Sequence, residues 1–499
     1  MSFIARSTAR TISWLVVFFC LILTGCSASI SISGGGGSGL QQLTATPTRP
    51  AQHPPTSTPA PRKSVPMPVT QTSCPGISPT NPFGTRPAVM RPLALGSHQN
   101  LVYIYNEGQS QTSTAHGHLV RYDVATGQRV TIITSGLHIS EAQVSADGQW
   151  IMFLSLPDPQ RDPNHVALLQ MVRMDGQGLQ TLYCFPKLPY TPKGGAFSAF
   201  EGRGIISYTG YPPVRFTWSP DERHVLLSTD LQGTTSLVTL LDIRTGNLRQ
   251  LLLYTQSCSI AIPLSWLNSS QAYIVTESRA TCGSPPLPMN LYLIDVNKSP
   301  NPANPVWNDV IEENVRYTDV AVDTSPDGSR LFVSTCEQTG PAISTIVSEP
   351  AAGGSQTTIY RQLASAQNPE SCVESIRAVT TRTLLMLMRN GSPYLQCGAP
   401  YQATFQLAML SSDGRGRPRV LANLEQGSSY SLDQAVPALW SLISRDGHLY
   451  AMTGAKPLAC GNALIEETTV FYGSLSGGEP VAVATASNGT VDVVGWTAL

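Results

Sequence analysis

The stretch AVDTSPDGSRLFVST at residues 321–335 decides how this chain folds. Ser325-Pro326-Asp327-Gly328 has the composition of a tight turn. Pro presets φ at the second position, Asp tolerates the third, and Gly lets the chain reverse. The flanking residues are β-branched, apolar or aromatic, so the turn joins two antiparallel strands.

The same line recurs along the chain. It reads AQVSADGQWIMFLS (142–155), FTWSPDERHVLLST (216–229), PLSWLNSSQAYIVT (263–276) and SLISRDGHLYAMT (441–453), with weaker copies PLALGSHQNLVYIY (92–105) and RAVTTRTLLMLM (377–388). A second turn closes each unit, as in YDVATGQRV (122–130), LDIRTGNLRQL (241–251), RMDGQGLQTL (173–182) and SSDGRGRPRVL (411–421). The unit is therefore a four-stranded meander, A-B-C-D. The turn aspartates Asp147, Asp221, Asp327 and Asp446 set a period of about 50–60 residues once the weaker copies are counted, which is the range of propeller blades. Seven copies predict an all-β propeller of seven blades, with six or eight open because the weak copies are arguable. The fragment VDVVGWTAL (491–499) matches the start of a unit, with Trp496 in the place of Trp218 and Trp266. One blade completed from both chain ends removes the open edges of a ring.

These motifs resemble the TolB-like, WD40-related propeller repeats of WSPDG type, over roughly residues 85–499. The resemblance implies the fold and no particular function. By analogy alone it suggests a sensor or assembly part of a membrane complex. The units at 92–105, 263–276 and 377–388 lack the Asp-Gly of the turn, which leaves their blade boundaries open. Prolyl oligopeptidase relatives of such propellers add a hydrolase domain, for which this chain shows no G-x-S-x-G.

The N-terminus reads as an address. Arg6 and Arg10 precede the apolar run Ile12 to Leu23, which is short for a membrane span, and Leu23-Thr24-Gly25-Cys26 resembles the lipobox of bacterial lipoproteins. Residues 1–25 are thus expected to be a signal peptide and Cys26 the lipidated residue, holding the chain on the extracytoplasmic side of a membrane. Residues 26–72 follow as a tether, Ser/Gly-rich with GGGG at Gly34–Gly37, then Pro/Thr-rich and free of acidic residues. Such a segment cannot bury enough apolar surface to offset its ordering entropy, so it is expected to be disordered. The propeller is assigned residues 73–499.

Composition narrows the partner. The 31 Lys+Arg and 32 Asp+Glu nearly cancel, which argues against a nucleic-acid partner, whose backbone demands a basic face. Charged residues are only 13% of the chain, while Gly (41) and Pro (39) are plentiful, as short strands and tight turns require. Outside Cys20 and Cys26, Cys74, Cys184, Cys258, Cys282, Cys336, Cys372, Cys397 and Cys460 remain, an even number that in an exported chain reads as disulfides. Cys258 and Cys282 flank one hairpin and are expected to pair. Cys336–Cys372 with Cys397–Cys460 is one option for the middle four, and Cys372–Cys397 with a longer bridge the other. Cys74–Cys184 would pin the tether to the ring. No C-x-x-C supports a redox role.

Candidate binding residues come from the innermost strands. With Trp218 and Trp266 packing between blades, alternation sends Glu141, Gln143, Arg215, Thr217, Asp319, Asp323 and Arg377 toward the channel. Acids and arginines there fit a polar ligand such as a sugar, or carboxylate-pair hydrolysis; an ion-paired, water-filled channel is the simpler expectation. The insertion 185–213 carries Tyr190, Phe197, Phe200, Tyr208 and Tyr211, a candidate aromatic contact loop. The tight turns are expected on one face of the ring and the irregular loops, where binding tends to reside, on the other. His116-Gly117-His118 is expected in a solvated loop, and Asp323-x-Ser325-x-Asp327-Gly328 is read as a turn, not a calcium loop. No metal or cofactor is expected. The overall expectation is a membrane-anchored extracytoplasmic module that binds a protein or the cell envelope; the alternative is a sugar-binding protein or hydrolase using the channel.

Overall fold

The computed structural model describes residues 66–69, 86–89, 93, 98–108, 116–156, 167–184, 214–230, 236–246, 248–254, 259–278, 289–298, 309–315, 321–336, 343–363, 371–391, 403–432, 442–460, 464–487 and 489–497, at some strand ends by backbone alone. Among the described residues there is no helix. One two-stranded pair joins β1 (Pro66–Val69) to β2 (Arg86–Val89). The other strands form seven four-stranded antiparallel sheets, the blades of a propeller.

Blade 1 contains β3 (Asn100–Glu107), β4 (Gly117–Asp123) and β5 (Arg129–Ser135). Blade 2 is β6 (His138–Val144), β7 (Trp150–Leu156), β8 (Leu168–Arg173) and β9 (Gln180–Cys184). Blade 3 is β10 (Val214–Trp218), β11 (His224–Asp230), β12 (Ser236–Asp242) and β13 (Leu248–Tyr254). Blade 4 is β14 (Ser259–Trp266), β15 (Gln271–Ser278), β16 (Met289–Asp295) and β17 (Asp309–Val315). Blade 5 is β18 (Ala321–Thr324), β19 (Arg330–Cys336), β20 (Ile343–Pro350) and β21 (Thr357–Leu363). Blade 6 is β22 (Cys372–Thr380), β23 (Thr383–Asn390), β24 (Thr404–Ser411) and β25 (Arg419–Asn423). Blade 7 is β26 (Ser429–Ser431), β27 (Leu449–Cys460), β28 (Leu464–Ser474) and β29 (Val481–Ala486).

The innermost strand of blade 1 comes from the far end of the chain. β30 (Gly489–Trp496) pairs with β3 from Leu101↔Trp496 to Glu107↔Gly489, so both ends of the domain complete one blade. This is the closure expected from VDVVGWTAL. It also settles the boundary of the weaker copy at 92–105: β3 is its B strand, while Leu93 and residues 98–99 lie outside any strand. Leu93 instead exchanges backbone bonds with the Gln149 side chain.

The turns explain themselves. In the copies at Ser145, Ser219, Ser325 and Ser444 the Ser hydroxyl donates to the Asp two residues on, at 2.5–2.6 Å. The same oxygen accepts the N–H that opens the B strand, as from Trp150 and Leu449. The fourth residue returns its N–H to the Ser carbonyl and sits at positive φ, which Gly supplies at Gly148, Gly328 and Gly447. In blade 3 that place is held by Glu222, at φ 58, the one described non-Gly residue with positive φ.

The core lies between blades. One cluster joins Trp150, Met152 and Leu169 of blade 2 to Phe216, Trp218 and Val225 of blade 3. Others join blades 3 and 4 around Trp266, blades 4 and 5 around Tyr273, and blades 5 and 6 around Phe332. Blades 1 and 2 meet around Ile104 and Phe153, and blades 6, 7 and 1 around Tyr450 and Trp496. Each sheet thus has apolar side chains on both faces, as stacked sheets require.

His116-Gly117-His118 is not wholly loop. Gly117 and His118 open β4, paired with Asn106 and Tyr105, because Gly117 lies where a Cβ would be 2.6–2.8 Å from Ile139 and the Leu137 carbonyl. His118 is held by Thr134 and Glu107.

Candidate functional site

The inner strands carry polar residues at fixed register positions. Opposite the third residue of their B strands stand Gln143 (facing Met152), Thr217 (Leu226), Asp323 (Phe332) and Arg377 (Leu385). Opposite the fifth residue stand Asp492 (Ile104), Glu141 (Leu154) and Arg215 (Ser228), on blades 1, 2 and 3 in succession.

The first level holds the ring together. Gln143 is buried; its Nε2 donates to the Phe216 carbonyl at 2.9 Å and its Oε1 accepts from Trp218 N–H at 3.0 Å. A carboxamide thus stands in for a strand partner between blades 2 and 3. Asn106 does the same between blades 1 and 2, exchanging two 3.0 Å bonds with the Ile139 backbone. Asp323 Oδ2 accepts from Ala378 N–H at 2.7 Å, linking blades 5 and 6, and the Trp266 indole donates to the Thr217 carbonyl. Arg377 is buried and donates to the Ile376 carbonyl.

The second level is where charge gathers. Arg215 Nη1 pairs with Glu141 Oε1. Glu141 is 6% exposed and Arg215 40%, so the acid lies beneath a guanidinium that reaches solvent. Burial pushes the Glu141 carboxyl up to about 7; Arg215 opposes that rise and the neighbouring Asp492 adds to it. Asp492 is itself raised by burial to about 6, against donors from the Thr453 hydroxyl and the Val493 N–H. The second Glu141 oxygen, Oε2, is buried without a hydrogen-bond partner.

Asp492 is a residue the sequence reading missed. Counting alternately back from Trp496 selects Gly495 and Val493. The register slips between Val102 and Tyr103, whose partners are Gly495 and Val493, so Val494 is skipped and Asp492 becomes the counterpart of Glu141. The one signal available was an acid inside an otherwise apolar closing strand.

A second cluster lies on the face of the tight A–B turns. A cleft of about 350 Å³ opens there between blades 5, 6 and 7, lined among others by Asp323, Pro326, Arg377, Ile443, Arg445 and Asp446. The expectation favoured the opposite, irregular-loop face, much of which lies outside the described residues. Beside the cleft, Arg445 of blade 7 donates Nη2 to the Ser145 carbonyl at 2.8 Å and Nη1 to that of Ala146, both in the blade 2 turn. Its own N–H donates to Gln99 Oε1 at 2.6 Å. Glu222 reaches the same turn from blade 3, accepting from Asp147 N–H at 2.8 Å. Burial and then the Asp147 charge push Glu222 up to about 7, with Arg445 opposing.

Of the other expected residues, Asp319, Tyr190, Phe197, Phe200, Tyr208, Tyr211, Cys26, Cys74, Cys258, Cys282 and Cys397 lie outside the described residues. Cys184, Cys336 and Cys460 end β9, β19 and β27, with backbone alone described. Cys372 opens β22, is buried and is disulfide-bonded, to a cysteine beyond the described side chains. No group of three or more metal-ligating side chains occurs among the described residues, and no described helix is long and apolar enough to cross a membrane.

With this geometry in hand, comparison with known proteins adds fold. No family model matches the chain, and no curated protein does. Among solved structures it is similar to TolB from Acinetobacter baumannii, at 12% identity over 78% of this chain and 81% of that one, with a TM-score of 0.36. It is similar to an oligogalacturonate lyase in complex with manganese, at 13% identity over 74% and 84%, TM-score 0.44. It is also similar to the periplasmic gluconolactonase of Pseudomonas aeruginosa, at 12% identity over 79% and 99%, TM-score 0.48. The likeness is one of fold. Likenesses at this level carry no activity over to the chain.

Proposed function

We propose that this chain is an exported lipoprotein whose propeller is a binding module for a protein or cell-envelope partner outside the cytoplasm. Cys26 carries the lipid, and the Gly/Ser and Pro/Thr tether spaces the ring from the membrane. The observation that carries the reading is the use of Asn106, Gln143 and Asp323: polar groups of the two innermost strands are spent on neighbouring blades' backbone. That arrangement gives a rigid scaffold whose work is done at exposed surfaces, the ordinary division of labour between scaffold and loops. The disulfides expected of an oxidising compartment fit the same reading, as does the bridged Cys372.

The test uses the full chain in bacterial cells. Labelling with an alkyne fatty acid should mark the wild-type protein, and Cys26→Ser should abolish label and membrane retention. In-cell cross-linking of the wild-type chain should then yield one defined envelope component in stoichiometric amount. Label retained in Cys26→Ser, or cross-links only to the protein itself, overturns the reading. One observation favours a second use of the scaffold, the charged group on blades 1 to 3.

A further inference from the structure

We propose that Asp492, Glu141 and Arg215 form a binding site for the vicinal hydroxyls of a neutral sugar unit. The proposal rests on the reading of the chain as an envelope-facing binding module and names a ligand class for it.

The three side chains stand at one register level on adjacent inner strands, each opposite the fifth residue of its B strand. They lie side by side around the ring, and Arg215 and Glu141 are in contact. At the same level blades 4 and 5 place Ile262 and Ala321, opposite Val275 and Ser334. Among the described residues, the charge at this level is therefore carried by blades 1, 2 and 3. Glu141 is nine-tenths buried, yet its Oε2 meets no donor. A buried carboxylate oxygen left so costs free energy that a donor from outside would recover. Arg215, 40% exposed, is the group of the three most open to solvent.

The mixture of groups selects the ligand. A guanidinium only donates; ionised carboxylates only accept. A phosphate or carboxylate ligand would satisfy Arg215 but face Asp492 and Glu141. An ammonium or metal ion would satisfy the acids but face Arg215. A hydroxyl both donates and accepts, and two on adjacent carbons can accept from Arg215 while donating to Asp492 and to Glu141 Oε2. Burial raises the proton affinities of Glu141 and Asp492 although each carboxylate already has donors beside it.

The experiment is saturation-transfer NMR on the detergent-solubilised full-length protein. The probes are glucose, galactose and N-acetylglucosamine, each at millimolar concentration, with triglycine as a peptide control. At least one sugar should give saturable transfer, and Arg215→Met and Asp492→Asn should each weaken it fivefold or more. Thermal melting should show both variants folded; if Asp492→Asn does not fold, the exposed Arg215→Met decides alone. Absence of transfer from all three sugars to folded wild-type protein overturns the proposal. So does transfer untouched by Arg215→Met, or transfer from triglycine alone, which would assign the site to peptide. The purified protein needs no partner, so this result reads independently of the cross-linking test.

Discussion

The guanidinium of Arg445 reaches the carbonyl oxygen of Ser145, two blades along the ring, with Nη2 at 2.8 Å. The blade it passes is blade 1, the one built from both chain ends. That blade has no continuous A–B turn, because its A strand is β30 and its B strand is β3. Arg445 therefore spans the gap that closure leaves, while its N–H is tied to Gln99 just before β3.

Arg445→Ala should accordingly weaken the ring at its seam. Loss of charged hydrogen bonds to two carbonyls should cost about 2–3 kcal/mol, read as a lower urea midpoint. Arg445→Lys should recover less than half, since a single ammonium lacks the planar fork that meets both oxygens. A midpoint unchanged in the alanine variant would assign closure to β30 alone.

The closing strand itself should tolerate little. A Cβ on Gly489 would stand 2.0 Å from the Asn106 carbonyl oxygen, a contact that only backbone movement relieves. Gly489→Ala is expected to cost about 1–3 kcal/mol. Deleting residues 489–499 should do more, exposing β3 as an open edge. Limited proteolysis would then cut within blade 1, and size exclusion would show aggregation.

Gln143 offers a test of the blade-to-blade links. Gln143→Leu keeps the volume but leaves the Phe216 carbonyl and Trp218 N–H without their partner. Two unsatisfied buried groups should lower stability by about 2–4 kcal/mol. Gln143→Glu should be milder at low pH than at high pH, since only the protonated acid can both donate and accept.

Stability should fall as pH rises. Glu141 and Glu222 are raised to about 7 and Asp492 to about 6, from ordinary values of 4.5, 4.5 and 3.8. A folded pKa above the unfolded one means the folded state holds its proton longer. Its contribution is complete below about 4 and is lost as pH climbs through 6 to 7. Melting should occur several degrees higher at pH 5 than at pH 8. Glu141→Gln combined with Glu222→Gln should flatten that slope, and a slope unchanged in the double variant would place its origin elsewhere.

Much of this was legible from residues alone. The SPDG turns announced antiparallel hairpins because their dihedral demands are local, and β30 announced closure because Trp496 repeats the place of Trp218 and Trp266. Alternation found Glu141, Gln143, Arg215, Asp323 and Arg377 on the inner strands, but it did not separate their tasks. Whether a polar side chain bonds a neighbouring blade or gathers charge depends on what the next blade places opposite it. Asp492 escaped notice because a single skipped residue, Val494, shifts the register, and bulges leave no reliable trace in a two-residue period.

Turn chemistry, strand period and repeat length therefore determined the blades, their order and the need to close, all of which follow from contacts near in sequence. The tertiary structure decided what happens between blades. It placed Asp492 beside Glu141, some 350 residues earlier, set Glu222 in a turn position that its sisters give to Gly, and sent Arg445 across the seam. Those outcomes depend on the register and packing of seven sheets at once, and charge takes its protonation and its partners from that surrounding, not from its neighbours in the chain.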